Sequence, residues 1–172
     1  DALPISTTFQ ERDPIADYRF KMMRHGTPAE QSKVEAIKRR EQWMINAYVI
    51  EDPTNPDNEG KVKILRYGRQ LNKIIMDAIE GDDADQFGMR VFDLSENGCS
   101  LRIKVEEQGG YPTYVASKFL MPSAVEGINP DEIYNALHDL EAVNEVKSQD
   151  ELQSMLDEHY HCTPPGTSNQ VH

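Results

Sequence analysis

Basic and aromatic residues alternate along one stretch of the chain, and their spacing indicates a binding chemistry. A basic triplet at residues 38–40 leads into a predicted strand that carries Trp43 and Tyr48. A loop rich in Pro, Asn and Gly follows, and a second basic strand returns through Arg66 and Tyr67. Cations can bind backbone phosphates, while unpaired bases can stack on flat rings. The pattern is typical of a surface for single-stranded nucleic acid, because duplex recognition would not need the rings.

The candidate binding residues are the cations along this path and the rings beside them. The cations are Lys38, Arg39, Arg40, Lys63, Arg66, Arg69, Arg102, Lys104 and Lys118. The rings are Trp43, Tyr48, Tyr67, Tyr111 and Tyr114. Each ring could instead pack in the core, since aromatic residues favour strands and burial. The basic triplet could instead complement the C-terminal end of a helix.

The charge of the chain is unevenly distributed, which matters for any anionic ligand. The net charge is -12, but residues 119–172 alone carry one Lys and 10 Asp or Glu. Residues 19–73 carry 12 Lys or Arg against 7 Asp or Glu, a local balance of +5. Binding depends on the local field of a site rather than on the charge of the whole chain. The composition therefore allows a polyanion to bind at the basic segment.

Capping residues and hydrophobic periodicity predict the elements that position these side chains. Residues 1–26 show no clean period, and we expect an irregular arm there. The segment at residues 27–30 has the Thr, Pro and Glu of a capping box and predicts a helix over residues 27–41. The helix would end at the basic triplet.

Alternating residues then predict two strands, at residues 42–51 and 61–67, joined by a loop with strong turn chemistry. From Arg69 the period changes to that of a helix, which Gly81 would end.

Two further strands are predicted at residues 89–94 and 99–106, joined by an Asn-Gly turn. The residues expected to face inward from the second strand are Cys99, Leu101, Ile103 and Val105. Residues 111–118 follow two glycines, so we predict a loop from which both of its tyrosines project.

The C-terminal part is predicted to be helical and acidic over residues 129–160, with helix starts at Asn129 and Ser148. Residues 163–172 are rich in Pro, Gly, Ser and Asn, and we expect them to be disordered.

The length of 172 residues favours a single domain, which we place at residues 1–162. About five short strands with one internal helix and flanking N- and C-terminal helices predict the α+β class. They suit an OB-fold-type β-barrel over residues 42–120, a fold that binds oligonucleotides across an open face. Periodicity alone leaves another small barrel or an α+β sheet open.

Several features of residues 38–120 occur in the same order in a known family. These features are the basic triplet with the aromatic residue after it, residues 49–53, residues 58–62, residues 66–68, a helix with Lys73 and Ile74, and Tyr111 and Tyr114 before residues 117–120. The stretch resembles the core domain of the single-stranded DNA-binding proteins of T4-type phages. The resemblance implies an OB-fold core and a protein that coats single-stranded DNA in phage replication, recombination and repair.

The resemblance also implies which residues contact DNA. Basic or aromatic family positions associated with DNA correspond to Arg39, Trp43, Arg66, Tyr67, Tyr111 and Tyr114. Three other family positions are aromatic, and here they hold Val34, Met44 and Leu65, so this groove offers fewer stacking platforms. Glu41 and Gln42 also stand where the family has small hydroxyl residues after the triplet.

The family holds a structural zinc through one His and three Cys just before the aligned region. Residues 13–18 take that place here and contain no Cys, so we predict no structural zinc and no other cofactor. His159, His161 and Cys162 cluster near the C-terminus but make a surface group rather than a zinc pattern. The two cysteines fit no disulfide framework, which favours a reduced, cytosolic setting.

The sequence predicts a non-enzymatic protein, because it contains no phosphate-binding loop, nucleophile elbow or metalloprotease motif. The resemblance implies replication and recombination proteins as partners, usually reached through an acidic C-terminal segment, and the cytoplasm of an infected bacterial host. Self-association on DNA is expected to be weak, because residues 1–10 lack the cations of the family's N-terminal segment. The chain begins at Asp1, so we expect a processed or truncated product. No membrane span is expected. Two alternatives remain open: an acidic protein–protein adaptor with an OB-like domain, and an RNA-binding module.

Overall fold

The computed structural model describes residues 12–144 and 146–161. The backbone forms two compact units. The larger unit spans Glu41–Val143, and the smaller unit contains the described residues among 12–40 and 144–161. Helices and short strands occur together, which confirms the predicted α+β class. The domain limits at residues 1–162 stay a prediction. The predictions made for residues 1–10, for Cys162 and for the tail at residues 163–172 concern residues outside the described part of the chain.

The larger unit begins with an antiparallel hairpin. Strand β1 (Trp43–Tyr48) pairs with strand β2 (Val62–Tyr67), from Trp43 opposite Tyr67 to Tyr48 opposite Val62. Residues directly opposite each other share a face of the ribbon. The hairpin confirms the two strands predicted for this part of the chain.

The loop between β1 and β2 is closed by the side chain of Asp52. Its carboxylate accepts hydrogen bonds from the Thr54 hydroxyl at 2.7 Å and from the Asn58 amide at 2.9 Å. Two backbone N–H groups of the loop donate to it as well. Gly60 ends the loop at φ +73°, in the left-handed region that favours glycine. The turn chemistry seen in the sequence is therefore a network centred on one carboxylate.

Helix α3 (Arg69–Ile79) starts directly after β2 and builds the core. Its Leu71, Ile75 and Ala78 are buried at helical spacing. Tyr67, Leu71 and Ile75 form the centre of the core. The partly buried residues packed against this centre are Trp43, Ile45, Leu65, Ile74, Ile79, Leu101, Tyr114 and Phe119. The predicted helix is confirmed.

The segment after α3 differs from the prediction. Residues 89–94 do not form a strand, because a 3-10 helix spans Gly88–Phe92. The Cys99 N–H donates to the Arg90 carbonyl at 3.0 Å, so this backbone is held by an isolated contact rather than a ladder. The Asn-Gly turn therefore does not join two strands.

The strand predicted at residues 99–106 is wrong in extent and in partner. Strand β3 (Leu101–Arg102) has two residues, and its partner is the later strand β6 (Lys118–Phe119). Cys99 is buried, as predicted.

The inward orientation predicted for Ile103 and Val105 is also wrong, since 38% and 60% of their surfaces are exposed. The Lys104 N–H donates to the Ser117 hydroxyl at 2.9 Å, and that hydroxyl donates to the Lys104 carbonyl at 3.3 Å. The Ser117 side chain thus takes the place of backbone-to-backbone hydrogen bonds at Lys104, and the inward–outward alternation of a regular strand is lost there.

Residues 111–118 are not a continuous loop. Strand β4 (Glu106–Gln108) and strand β5 (Tyr111–Thr113) form a hairpin closed by Gly109 and Gly110. Both glycines have positive φ, at 61° and 81°, as the tightest hairpin turns require.

The strands of the described residues form three separate two-stranded sheets, β1–β2, β3–β6 and β4–β5. The barrel predicted over residues 42–120 is therefore not confirmed.

Helix α4 (Pro130–Asn135) has the predicted Asn129 cap and buries Ile133. The segment after it is tied to the first hairpin, because the Asn46 side chain exchanges two hydrogen bonds with the backbone of His138, at 2.9 and 3.0 Å.

The smaller unit opens with a helix where an irregular arm was predicted. Helix α1 (Pro14–His25) begins after Asp13, whose carboxylate accepts from two backbone N–H groups of the first turn. A capping acid followed by Pro at the first position is typical of a helix start. The helix was not predicted because the hydrophobic periodicity of the segment is weak.

Helix α2 (Pro28–Glu35) has the predicted capping box between Thr27 and Glu30. It ends at Glu35 rather than at residue 41. The last turn tightens, with the Lys38 N–H bonded to the Glu35 carbonyl at 3.2 Å. The side chains of the three adjacent cations at residues 38–40 are exposed.

Helix α5 (Gln149–Leu156) starts at the predicted capping box of Ser148 and Glu151 and continues into a π-helical turn at Asp157–His161. Tyr160 in that turn packs edge-on against Tyr18 of α1, with ring centroids 5.7 Å apart. Lys33 of α2 lies 5.1 Å from the same ring. No helix of the described residues is long and apolar enough to cross a membrane.

Asp52 gives the first loop a pH-dependent stability. The hydrogen bonds from Asn58 and Thr54 lower the pKa of Asp52 from 3.8 to about 2. A carboxyl group with a lowered folded-state pKa stabilises the fold above its unfolded pKa and loses that contribution as the pH falls through the folded value. We expect the difference in urea midpoint between the wild type and Asp52→Asn to be constant above about pH 5 and to shrink toward about pH 2.

The matched control is Asp57→Asn, because the Asp57 carboxylate makes none of these bonds in the described part of the chain. Equal pH profiles for the two variants would contradict the role assigned to Asp52.

Candidate nucleic-acid interface

The predicted site residues divide between the two units. Lys38, Arg39 and Arg40 lie in the smaller unit, and all the other candidates lie in the larger unit. The side chains of the triplet are exposed, and Lys38 forms an ion pair with Glu35 at 3.2 Å.

Three of the five candidate rings belong to the core of the larger unit. Trp43 and Tyr67 lie opposite each other in the first hairpin and stack with centroids 6.3 Å apart and planes 18° apart. Tyr67 is buried, and burial raises the pKa of its phenol. Tyr114 packs against the same core. The packing alternative accounts for the placement of these rings, and whether they contact nucleic acid stays a prediction.

Tyr111 is the candidate ring that the fold presents to solvent. It lies at the end of the β4–β5 hairpin, and 76% of its surface is exposed. Tyr48 is half-buried.

Gln70, in the first turn of α3, anchors this hairpin. Its Oε1 accepts from the Tyr114 N–H at 2.8 Å and lies 3.4 Å from the Thr113 hydroxyl. The sequence did not indicate Gln70, because a contact across more than 40 residues leaves no local pattern.

Two cations lie directly opposite each other on the β3–β6 ribbon. Arg102 is paired in register with Lys118, and both side chains are exposed. Their neighbours Leu101 and Phe119 pack against the core, so alternation turns the two cations outward. Neither cation has an acidic partner among the described residues, whereas the nearby Lys104 pairs with Glu106 at 2.7 Å. Opposed like charges destabilise a sheet, and an anion between the two cations would relieve that repulsion.

The other cations of the larger unit are more dispersed. Lys63 and Arg66 are exposed on β2 but lie on opposite faces of the ribbon, since they are three residues apart. Arg69 is already paired with Glu41, its Nε at 3.2 Å and a terminal nitrogen at 3.0 Å from the carboxylate. Glu41 is the residue noted above as a departure from the family, and here it neutralises one predicted contact.

No group of three or more potential metal-ligating side chains occurs among residues 12–144 and 146–161. The predictions for His161 and Cys162 lie outside what can be described.

Comparison with known proteins adds to this geometry. A family described as gp32 DNA binding protein like matches residues 4–160. The chain belongs to this family. Two curated relatives, the single-stranded DNA-binding proteins of Enterobacteria phages T4 and T2, are each 29% identical to it over 147 residues. The match covers 82% of this chain and 46% of each relative, so the chain spans about half the length of these relatives. The resemblance noted in the sequence is confirmed.

The opposed cations predict an unusual effect on stability. Replacing Arg102 or Lys118 by Gln removes a like-charge repulsion, so we expect either variant to be more stable than the wild type by roughly 0.2–0.5 kcal/mol. The double variant should gain less stability than the sum of the two single variants, because each single substitution already removes the same repulsion. Urea unfolding at about 0.01 M and about 1 M salt measures this, since the screening length falls from ~30 Å to ~3 Å.

Lys104→Gln is the control, because it breaks an attractive pair and should not stabilise the fold. A gain for Arg102→Gln that persists at high salt would show that strand propensity rather than charge is responsible.

Proposed function

We propose that this chain binds single-stranded DNA with little sequence preference, and coats and protects it during phage replication, recombination and repair. The observation that carries the proposal is membership of the gp32-like family over residues 4–160, with two relatives named as single-stranded DNA-binding proteins.

The geometry of the larger unit supports this proposal. An exposed ring at Tyr111 offers a face to an unpaired base, and the Arg102–Lys118 pair offers two positive charges to a phosphate. A phosphate between the two cations would relieve their repulsion. Such contacts to phosphates and ring faces carry no base-edge readout, which is why we propose weak sequence preference.

Affinity would come from counterion release and from stacking. Each phosphate that a cation neutralises releases condensed counterions, so binding to a single strand weakens with salt at a slope of about -0.7 per contact. The other cations named from the sequence are proposed as further phosphate contacts. They are Lys38, Arg39 and Arg40 in the smaller unit, and Lys63, Arg66, Arg69 and Lys104 in the larger unit.

The finer features of the proposal follow the family, except that no zinc is proposed. We propose an OB-type arrangement for the larger unit, supported by its short strands and internal helix. We also propose binding without catalysis and folding without zinc. The second point is supported by Asp13, whose carboxylate caps α1 in the segment where the family has zinc ligands. Replication and recombination proteins as partners and the cytoplasm of a bacterial host are proposed from the family. Weak self-association on DNA is proposed because residues 1–10 carry no Lys or Arg.

The direct test is a titration of labelled oligo-dT followed by fluorescence anisotropy at about 50 and about 200 mM salt. We expect tight binding at the lower salt, a steep loss at the higher salt and little effect of duplex competitor. Equal competition by matched RNA would favour an RNA-binding module. No binding at the lower salt would contradict the proposal and favour an acidic adaptor.

Tyr111 should contribute one stacking contact. Removing its ring in Tyr111→Ala is expected to weaken oligo-dT binding by about 1–3 kcal/mol, the usual cost of one stacked base. Tyr111→Phe keeps the ring and should bind like the wild type. The control is Tyr134→Ala, which removes another exposed tyrosine, on α4. Equal losses for the Tyr111 and Tyr134 variants would rule out a specific platform at Tyr111.

A further inference from the structure

We infer that the outer face of helix α1, in the smaller unit, is a second contact surface for single-stranded nucleic acid, centred on Phe20. The inference rests on the proposed function and adds a site that neither the sequence pattern nor the family match indicated. Its ligand class is a nucleotide segment whose base stacks on Phe20 while its phosphates meet the cations beside that ring.

Helix α1 has one packed face and one free face. The packed face carries Tyr18, which contacts Tyr160, and Arg19, which pairs with Glu35 at 3.2 Å. At 100° per residue, the opposite face carries Asp17, Phe20, Lys21 and Arg24. The fold of the smaller unit therefore leaves Phe20, Lys21 and Arg24 exposed, whereas Asp17 also borders a depression that it shares with Gln149, Asp150 and Gln153.

Phe20 is conspicuous on this free face. Its surface is 58% exposed, although burying a phenylalanine is worth about 1.5–3 kcal/mol. A single exposed apolar residue is ordinary on a protein surface. Phe20, however, lines an open groove of about 360 Å³ together with charged side chains. The groove is lined by Arg12, Asp17, Phe20, Lys21, Arg24 and His25.

The charges of the groove favour an anion. Lys21 and Arg24 have no ion pair or hydrogen bond to a side chain within the described residues. The one carboxylate of the groove, that of Asp17, is held by Arg12 at 2.8 Å. Within the described residues, the groove therefore presents two cations, Lys21 and Arg24, that no ion pair neutralises and that lie beside the Phe20 ring.

A nucleotide segment fits these features better than an acidic peptide or a membrane surface. A flat ring with two cations beside it offers both a stacking face and phosphate contacts, which is the combination that single-strand binders use. A membrane-binding helix would need a broad apolar face, whereas the free face here has Phe20 and, at its margin, the partly exposed Met23.

The experiment uses the full chain and oligo-dT long enough to saturate binding. Phe20→Ala should weaken binding at least about 5-fold, whereas Phe20→Tyr should bind like the wild type and Phe20→Leu, which stays apolar but is not flat, like Phe20→Ala. The double variant Lys21→Gln/Arg24→Gln should make the salt slope shallower by about 1.4, since each phosphate contact contributes about 0.7.

The matched control is Phe92→Ala, which removes an exposed phenylalanine from the 3-10 helix of the larger unit and should leave affinity unchanged. Thermal unfolding of each variant checks that α1 is intact, and the exposure of Phe20 makes the substitutions tolerable.

The outcomes separate this inference from the proposed function. If the wild type binds oligo-dT while the Phe20 and Lys21/Arg24 variants bind with unchanged affinity and salt slope, the α1 surface is overturned and the proposed function stands. If the wild type does not bind, both fail. If the double variant loses affinity for an acidic peptide but not for oligo-dT, the surface serves a protein partner and the inference is overturned.

Discussion

The packing of Tyr67 against Leu71 and Ile75 is the contact on which the larger unit depends. It joins the end of the first hairpin to the helix that follows after a single residue, Gly68. Residues from three later segments then pack against this centre, namely Leu101, Tyr114 and Phe119. The buried core is small, so each of these ring and aliphatic contacts carries a large share of the stability. Trp43, Tyr67 and Tyr114, which the sequence pattern predicts to contact a ligand, are therefore part of the core that stabilises the fold.

The proposed binding surface follows from this core through the alternation of strand residues. Leu101 and Phe119 turn inward, so Arg102 and Lys118 must turn outward and must meet across the ribbon. Gln70 likewise holds the second hairpin, because its side chain accepts from the Tyr114 N–H, three residues after the exposed Tyr111. The surface is thus fixed by packing within the larger unit, which limits the conformational entropy lost on binding.

The sequence predicted the elements whose signals are local. Capping boxes at Thr27 and Ser148 and the helical period after Arg69 are confirmed, because they depend on neighbours a few residues apart. Predictions from the sequence were wrong where the extent of an element depends on a strand partner or on a long-range contact. Alternation at residues 99–106 suggested one long strand, yet the Ser117 hydroxyl interrupts the ladder at Lys104. The exposed cations were identifiable from the sequence, but their pairing with Glu41 and Glu106 was not, since it requires the register of distant segments.

The stacked arrangement of Trp43 and Tyr67 has a spectroscopic consequence. Trp43 is the sole tryptophan of the chain, and its ring is held against a buried tyrosine at the end of the first hairpin. Its intrinsic emission will therefore respond to the integrity of the core. A ligand that binds the proposed surface without disturbing this end of the hairpin will leave the Trp43 emission nearly unchanged. A shift in the emission maximum would accordingly signal either a loosening of the hairpin from α3 or a ligand in direct contact with Trp43.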